Sequence, residues 1–535
     1  MALFAGQGAG AIRRIVPAAE RIAAAYASQG QTMAGSLGSR ASSSGTELTR
    51  TGGVLGGTLT YTIEGDPFEL FAFLPSTNTG PTPLSILDPL DPRTLGVGID
   101  LLSTLVVSGL GPTGTAVVAF PLPADPSLGG LPIHAQAMTL PGAPTLVDEL
   151  SNVTAQRLAL PGDCYLSIGE LSQDVAAYGT APLPDGTLLL GGGSVYLGAG
   201  GIPSADLRIF DPQTQGFEDL AANLSYAGVN PAAVALADGR VLFCGGIGVA
   251  DAVLSAASIY DPVTGTASAA APMPGPRVQH TATLLADGRV FVTGGVKALN
   301  AADPISGLSD ILGTSAIYDP VADSWSGAAS MSLPRVGHAA TLLPSGRVLI
   351  SGGLEIGSLF GVPIPSIVNS CVRYNPANNT MIGTANFSGD RALHGQVLLS
   401  TGQVLVAGGA DGDVLTQVFN PLNSCRLYDE GSNSWTNVAS LPEPRTYPNL
   451  VEAGGKVHVL SGLSTIDLIG LTGMPVTAIA SSNVSGISWT TVGAMQLGRP
   501  LSAAFAVEGG ERIVVLGPGD NGLPAADRTA DVYVP

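Results

Sequence analysis

The sequence predicts an all-β fold, because one short pattern of residues recurs along most of its length. The clearest copy runs from His280 to Gly295 and reads HTATLLADGRVFVTGG. Two further copies begin at His338 and His394. Each copy contains two apolar runs separated by an Asp-Gly, Ser-Gly or Thr-Gly turn, and each ends in a glycine pair. Such a pattern is typical of a β-hairpin, because the turn residues tolerate positive φ.

The spacing of the glycine pairs predicts the architecture. The second position of the pair recurs every 49 to 58 residues, at Gly192, Gly246, Gly295, Gly353, Gly409, Gly462 and, in a degenerate copy, Pro518. After each pair comes a variable connection, then a third run such as the one containing Tyr318, and then a fourth run. Four short strands repeated at a period of about 50 residues are typical of propeller blades, so we predict a seven-bladed β-propeller.

The repeated unit resembles the kelch family in three features. These are the double glycine that closes the second strand, the tyrosine of the third strand and the tryptophan of the fourth. One copy shows them as Gly294-Gly295, Tyr318 and Trp325. The resemblance recurs seven times, with departures in the first, sixth and seventh copies. It implies a kelch-type, galactose-oxidase-like seven-bladed propeller, to which we assign residues 150–535.

The two ends of this region predict how the ring closes. The last copy stops within its third strand, between Asp531 and Pro535. The stretch from Val153 to Pro161 resembles the fourth-strand stretch that begins at Trp435. We therefore expect Val153–Pro161 to supply the outer strand of the last blade, which would cover an exposed sheet edge.

Residues 46–145 contain no copy of the repeat. They contain alternating β-type runs, such as Leu70–Leu74, separated by turns rich in glycine, proline and aspartate. We predict a small antiparallel β-sandwich. The stretch from Leu122 to Ala137 resembles the end of a β module found beside repeats in bacterial secreted proteins, and within it His134 is interpreted as a strand residue.

Residues 1–45 are predicted to form an amphipathic helix followed by a linker. From Ala11 to Ser28, apolar residues recur at helical spacing with charged residues on the other side. Gln29 to Ser44 is rich in glycine and serine, which is typical of a flexible linker. We expect the helix to dock to an assembly partner or to a second copy of the chain, the alternative being a loosely ordered leader.

Composition argues against several classes of protein. The net charge is −19, and only two of the 22 basic residues are lysines, so a nucleic-acid-binding surface is not expected. No apolar run reaches the length of about 18 residues that a membrane-spanning helix needs. The four cysteines lack metal-type spacing, and we expect them to be buried free thiols.

Basic and aromatic side chains recur just before the innermost strand of the repeat, and we select them as candidate ligand-binding residues. They are Arg277, Arg335, Arg391 and Arg445 (with Arg499 as a fifth copy), His280, His338 and His394, and Tyr447, which aligns with the histidines. The inner strands line the mouth of an axial channel, where guanidinium groups would suit an anionic or hydroxyl-rich ligand. In the alternative interpretation, each arginine ties one blade to the next by bonding carbonyls or carboxylates.

The same face should carry the long connections between second and third strands. The clearest are Val296–Gly313, Leu354–Asn369, Ala410–Ser424 and Ser464–Val476, whereas the turns between first and second strands are minimal. Long loops on a rigid scaffold are where binding usually resides, so we predict that this face is the functional one.

The three histidines also raise the possibility of a metal site. They occupy equivalent positions in adjacent blades, so they should fan around the channel instead of converging on one ion. A copper radical oxidase of galactose-oxidase type is one alternative function. The family resemblance implies a copper site with two tyrosines and two histidines, but no Tyr-His pair occurs in the C-terminal half. We predict no metal and no cofactor.

Taken together, these features predict a non-enzymatic recognition or adhesion protein that binds a glycan or a protein at a cell surface. A second alternative is a virion attachment protein, of tail or capsid, anchored by the N-terminal helix. The expected location is extracellular, at a cell surface or on a virion.

Overall fold

The computed structural model describes residues 45–86, 90–101, 104–140, 146–196, 201–299, 310–359, 362–413, 418–465, 473–499, 502–518 and 528–535. Within these residues the regular elements are β-strands and single 3-10 turns, and the strands of each sheet pair antiparallel, so the predicted all-β class is confirmed. The predicted helix and linker lie outside the described residues. In the described part of the chain, no helix is long and apolar enough to cross a membrane.

By their internal contacts the described residues divide into two compact units. The repeat unit contains residues 171–210 and 217–531, and the N-terminal unit contains residues 45–170, 211–216 and 532–535. The predicted domain limits, 46–145 and 150–535, remain predictions.

The N-terminal unit is built from two facing sheets and a hairpin. Its first nine strands are β1 (Glu47–Gly52), β2 (Thr58–Glu64), β3 (Leu70–Ser76), β4 (Thr79–Pro83), β5 (Thr94–Val97), β6 (Val106–Gly109), β7 (Thr115–Pro121), β8 (Pro132–Leu140) and β9 (Thr154–Arg157). The sheets have the orders β1-β2-β7 and β6-β3-β8-β9, and β4 pairs with β5. Alternate residues of both sheets point into one apolar core, where the rings of Tyr61 and Phe73 lie 4.7 Å apart.

The stretch from Val153 to Pro161 does not form the outer strand that the sequence predicted. Its strand β9 pairs with β8 in the N-terminal unit. The buried guanidinium of Arg50 donates to the carbonyl of Ala155 (2.9 Å) and to the side chain of Gln156 (2.8 Å), which fixes β9 to this unit. An alternating run of residues is compatible with either sheet, so the sequence alone did not decide where β9 pairs. The buried guanidinium of Arg50 favours the N-terminal unit, because a buried charge needs hydrogen-bond partners and β9 supplies them.

Beyond these nine strands, the described residues contain seven further four-stranded sheets, which we number repeat sheets 1 to 7. Sheet 1 contains β12 (Gly179–Pro182), β13 (Leu188–Gly191), β16 (Asp206–Asp211) and β17 (Gly216–Asn223); sheet 2 contains β18 (Ala232–Ala235), β19 (Val241–Cys244), β20 (Ala257–Asp261) and β21 (Thr266–Ala270); sheet 3 contains β22 (Thr281–Leu284), β23 (Val290–Thr293), β24 (Ser315–Asp319) and β25 (Ser324–Ala328).

Sheets 4 to 7 continue the pattern. Sheet 4 contains β26 (Ala339–Leu342), β27 (Val348–Ser351), β30 (Cys371–Asn375) and β31 (Thr380–Gly383); sheet 5 contains β32 (Gly395–Leu398), β33 (Val404–Ala407), β36 (Cys425–Asp429) and β37 (Ser434–Val438); sheet 6 contains β38 (Asn449–Ala453), β39 (Lys456–Leu460), β40 (Ala478–Asn483) and β41 (Thr490–Ala494). Sheet 7 has the order β10-β44-β43-β42, from Cys164–Leu166, Asp531–Tyr533, Arg512–Leu516 and Ala503–Val507.

Three smaller sheets lie at connections between second and third strands. Two of them are hairpins formed within such a connection, and the third also includes a short strand that precedes sheet 1. They contain β11 (Val175–Ala176), β14 (Ser194–Tyr196) and β15 (Gly201–Pro203); β28 (Leu354–Leu359) and β29 (Val362–Ile367); and β34 (Ala410–Asp413) and β35 (Val418–Pro421). These extensions belong to sheets 1, 4 and 5.

Burial explains why the strands take these places within a repeat sheet. The second strands are buried throughout, as in Val290–Thr293, because neighbouring sheets pack on both of their faces. The fourth strands are largely exposed, as in Ser324–Ala328. Each first strand from β12 to β38 contacts the first strand of the next sheet, so these strands form the inner wall of the repeat unit.

Tryptophan side chains add a regular link between neighbouring sheets. The indole Nε1–H of Trp325 donates to the carbonyl of Ala271 in the preceding sheet, at 2.7 Å. Trp435 and Trp489 make the equivalent bonds to Ala385 and Ala439. The kelch-like tryptophan position therefore holds the outer edges of adjacent sheets together.

Candidate functional site

The two ends of the inner wall differ, and we name the two faces accordingly. At one end, Thr281 of β22 pairs with Thr293, beside the glycine pair and the long connection that follows it; this is the long-loop face. At the other end, Leu284 pairs with Val290 across the Asp-Gly turn; this is the short-turn face. The candidate arginines, histidines and Tyr447 precede the inner strands, so the structure places them all toward the long-loop face.

The candidate arginines are buried and their guanidinium groups donate to backbone carbonyls. Their exposed fractions are between 1% and 4%. Arg277 donates to the carbonyls of Gly294 (3.1 Å) and Thr314 (2.8 Å) in its own sheet. The equivalent acceptors are Gly352 and Ser370 for Arg335, Gly408 and Ser424 for Arg391, and Ser461 and Ala478 for Arg445. Each guanidinium thus joins the glycine turn to the start of the third strand.

The backbone of each arginine connects to the preceding sheet. The carbonyl of Arg277 accepts from the N–H of Gly246 (3.0 Å), and the carbonyl of Arg335 accepts from the N–H of Gly295 (2.9 Å). The same bond links Arg391 to Gly353 and Arg445 to Gly409. One arginine residue therefore holds two neighbouring sheets, which favours the alternative interpretation over the predicted ligand site.

Burial costs these cations part of their hydration but leaves them charged. It lowers the pKa of Arg391 and of Arg445 to about 10, mainly through desolvation. A guanidinium with this pKa is still protonated at neutral pH, so the carbonyls keep strong charge-assisted donors.

The histidines are buried between sheets and each contacts the sheet before its own. Nε2 of His280 lies 3.6 Å from the sulfur of Cys244, Nε2 of His338 lies 3.1 Å from Oγ1 of Thr281, and Nε2 of His394 lies 2.9 Å from Oγ of Ser351. Burial, with the neighbouring arginine charge, lowers the pKa of His280 and of His338 to about 3, and it lowers the pKa of His394 as well. The imidazoles are therefore neutral at physiological pH.

Tyr447 belongs to a set of backbone positions that the sequence did not predict. Two residues before the inner strand, six sheets have a residue with left-handed φ: Ala177, Asn230, Gln279, Gly337, Leu393 and Tyr447. Tyr447 donates its N–H to the carbonyl of Leu393 (2.7 Å), and Leu393 donates to Gly337 (2.9 Å). Only Gly337 and Asn230 are of types that favour this conformation, so the sequence carried little signal for it.

The long-loop end of the inner wall is filled by apolar side chains. One buried cluster, which we call the cap cluster, spans sheets 2 to 6 and contains Ile247, Val278, Val296, Ile311, Val336, Leu354, Ile367, Ala392, Leu393, Phe419 and Tyr447. Tyr447 is only 7% exposed within it. A buried apolar cluster thus lies beside the predicted arginine positions at this end of the inner wall.

The exposed features of the long-loop face lie on its connections. Ile202, Val249, Leu333 and Met474 come from four different sheets, and each exposes between 38% and 70% of its surface. Of these four side chains only Met474 lies in one of the long connections that the sequence singled out, Ser464–Val476, and none of the four was named from the sequence. The sequence shows an apolar residue in each of these loops, but it does not show whether that residue is buried or exposed.

The described residues do not fit a copper or zinc site. They contain no group of three or more His, Cys, Asp or Glu side chains placed to hold a metal ion. The three candidate histidines lie in three different sheets with separate partners. All four cysteines are free and buried, as predicted, and burial raises the pKa of Cys244 and of Cys371 to about 12, so neither is a reactive thiolate.

Four-stranded sheets repeat around an inner wall, and hydrogen bonds between arginines and glycine pairs join neighbouring sheets. This arrangement defines a β-propeller repeat. The curated proteins similar to this chain include Kelch-like protein 28 of Mus musculus, 31% identical over 121 residues that cover 23% of this chain and 21% of that protein. Alpha-scruin of Limulus polyphemus is 30% identical over 150 residues, which cover 28% of this chain and 15% of that protein. The chain thus spans no more than about a quarter of the length of the curated relatives it matches.

A solved structure described as a novel fungal alcohol oxidase of the AA5 family, in complex with copper, has a TM-score of 0.53 and 16% identity. The match covers 70% of this chain and 76% of that one, and it shows similarity of fold alone. No family model matches the chain. The similarity to Kelch-like protein 28 and alpha-scruin, together with the repeat sheets, supports a kelch-repeat β-propeller.

Because each buried arginine holds two neighbouring sheets, truncating its side chain should cause a large loss of stability. We expect Arg335→Ala to lower the free energy of unfolding by about 2–4 kcal/mol, because two buried carbonyls lose their donor. The matched control is Arg289→Ala, whose side chain is 34% exposed and pairs with Asp287, with an expected loss of about 1 kcal/mol or less. Urea denaturation of the three proteins gives both values, and equal losses would contradict the assignment.

The buried neutral histidines predict a pH-dependent stability. In the unfolded chain a histidine binds a proton below about pH 6.5, whereas in the folded protein His338 does so only near pH 3. Stability is therefore fully present above about pH 6.5 and falls as the pH drops toward 3, by about 1.4 kcal/mol per unit for each such histidine. Melts from pH 8 to pH 4 should show His338→Gln with a shallower fall than the wild type. Parallel curves would refute a neutral, buried His338.

Proposed function

We propose that this protein is a non-enzymatic recognition protein that binds another protein through the long-loop face of its repeat sheets. The observation that carries the proposal is the exposed apolar set on that face: Ile202, Val249, Leu333 and Met474. Apolar side chains from several separate loops on one face of a rigid scaffold are typical of a protein-binding surface. The two-stranded extensions of sheets 1, 4 and 5 add further surface to it.

Protein is favoured over glycan as the ligand because of the chemistry of this face. The predicted basic ring would have suited anionic or hydroxyl-rich groups, but its guanidinium groups already donate to carbonyls. What remains exposed there includes the apolar loop side chains, which supply binding energy by losing contact with water. Glycan binding is the alternative outcome of the test below.

We also propose that the seven repeat sheets form one closed ring of seven blades. Inner strands of consecutive sheets contact each other from β12 to β42, and residues of β12 and β42 line a common cavity. In this proposal β10 supplies the outer strand of sheet 7, in the role that the sequence assigned to Val153–Pro161.

The ring proposal predicts a local effect of disrupting β10. We expect Tyr165→Pro to reduce amide exchange protection in β44, the strand beside β10, while β19, in sheet 2, stays protected, because proline cannot donate to a strand ladder. Hydrogen exchange resolved by peptide measures both strands in one sample. Unchanged protection of β44 in a folded Tyr165→Pro protein would contradict closure by β10.

The setting proposed for this recognition is outside the cell, as an adhesion protein at a cell surface. Its alternative is a virion attachment protein anchored through residues 1–45. Locating the native protein in secreted, surface or particle fractions separates these settings. The third alternative, a copper radical oxidase, lacks support because the candidate histidines are separately paired.

The long-loop proposal predicts that one face, and not the other, carries binding. We expect the double substitution Val249→Asp and Met474→Asp to abolish capture of proteins from the surface and secreted fractions of the source cells. The matched control is Val263→Asp with Val321→Asp, which changes two valines exposed by 91% and 93% in the turns of the short-turn face. Retained capture by the first variant, or loss by both, would contradict the proposal. Binding of a glycan array but of no protein would identify the ligand as a glycan.

A further inference from the structure

A cavity of about 370 Å³ lies inside the wall of inner strands. Its lining comes from six of the seven repeat sheets, represented by Thr180, Ala235, Leu284, Leu342, Leu398 and Phe505. Since these side chains belong to first strands, the cavity occupies the centre of the repeat unit. Its volume is within the range of pockets that hold small molecules, about 300–1,000 Å³.

The cavity lies toward the short-turn face, away from the surface proposed for protein binding. Its wall includes Ala286, Pro344 and Gly346, which belong to the turns between first and second strands. Toward the other face lies the buried cap cluster, which includes the left-handed residues Leu393 and Tyr447. Entry is therefore from the short-turn face.

The lining determines what the cavity can accept. No ionisable side chain is among the residues that line it, although the chain as a whole carries a net charge of −19. Its polar side-chain groups are the hydroxyls of Thr180 and Thr283, and the other lining residues are Ala, Val, Leu, Pro, Gly and Phe. A charged ligand would lose hydration here without gaining a partner, whereas an apolar ligand would gain by leaving water.

The space results from small side chains at particular positions. The wall contributed by sheets 2 and 3 includes Ala233, Ala235 and Ala282, whereas sheets 4 and 5 contribute Leu342 and Leu398. A larger apolar residue at the alanine positions would fill the volume without adding a charge. The cavity therefore depends on a few methyl-sized side chains that can be changed one at a time.

We propose that this axial cavity is a binding site for a small, uncharged, mainly apolar molecule, entered from the short-turn face. The site is independent of the proposed protein-binding surface, which lies on the other face. It places two recognition sites on one chain, one for a macromolecule and one for a small ligand.

The test uses the uncharged fluorescent probe prodan and the full-length protein. We expect saturable binding with a blue-shifted emission, displaced by 1-octanol. Ala235→Leu and Ala282→Leu should each weaken binding at least tenfold, because each fills part of the cavity. Ala269→Leu, the same change at an exposed position on β21 of sheet 2, should leave the dissociation constant within twofold.

Several results would overturn the proposal. Absence of saturable binding to the wild type would do so, as would equal binding by the two filling variants in samples whose melts show them to be folded. Tighter binding of the anionic probe anilinonaphthalene sulfonate than of prodan would contradict an uncharged ligand. If the Val249→Asp, Met474→Asp protein lost prodan binding, the probe would bind at the long-loop face and not in the cavity, which would contradict the proposal. That result would not test protein capture by the long-loop face.

Discussion

The repeat sheets depend on one recurring interaction, the hydrogen bonds that join each buried arginine to two neighbouring sheets. In Arg335 the guanidinium donates to the carbonyls of Gly352 and Ser370, while the backbone carbonyl accepts from Gly295 of the previous sheet. The glycine pairs make this geometry possible, because both glycines adopt φ values that other residues resist. In sheets 3 to 6, a backbone carbonyl of the turn after the second strand thus receives a charged donor.

This constraint decides where function can reside. Arginines, histidines and Tyr447 at the start of the inner strands are all engaged in holding sheets together, and the cap cluster packs above them. The interior of the long-loop end is therefore structural. In our proposal, recognition is left to the loops on that face, and a separate apolar cavity lies toward the short-turn face. A buried, hydrogen-bonded centre with variable edges suits a scaffold whose binding properties change by loop substitution.

The sequence predicted the repeat well because its signals are local. The turn at Asp287-Gly288, the pairing of β22 with β23 and the tyrosine and tryptophan positions all follow from short-range patterns. The sequence left the role of the arginines open between a ligand site and a tie between sheets, because a sequence shows a charge but not which carbonyls lie within its reach. The left-handed Leu393 and Tyr447, the place of β9 and the end at which the cavity lies are set by tertiary packing, which overrides local propensity.

The most direct test of the arginine account is residue-resolved amide hydrogen exchange on the Arg335→Ala protein at neutral pH, below its melting temperature. The account predicts that protection falls at Gly352, Gly353 and Cys371 of sheet 4, and at Gly295 of sheet 3, where the arginine joins two sheets. The equivalent amides of Gly409 and Cys425, held through Arg391 and Arg445, should keep more of their protection. Unchanged protection at Gly352, Gly353 and Gly295 would contradict the claim that this side chain fixes the residue whose backbone joins the two sheets.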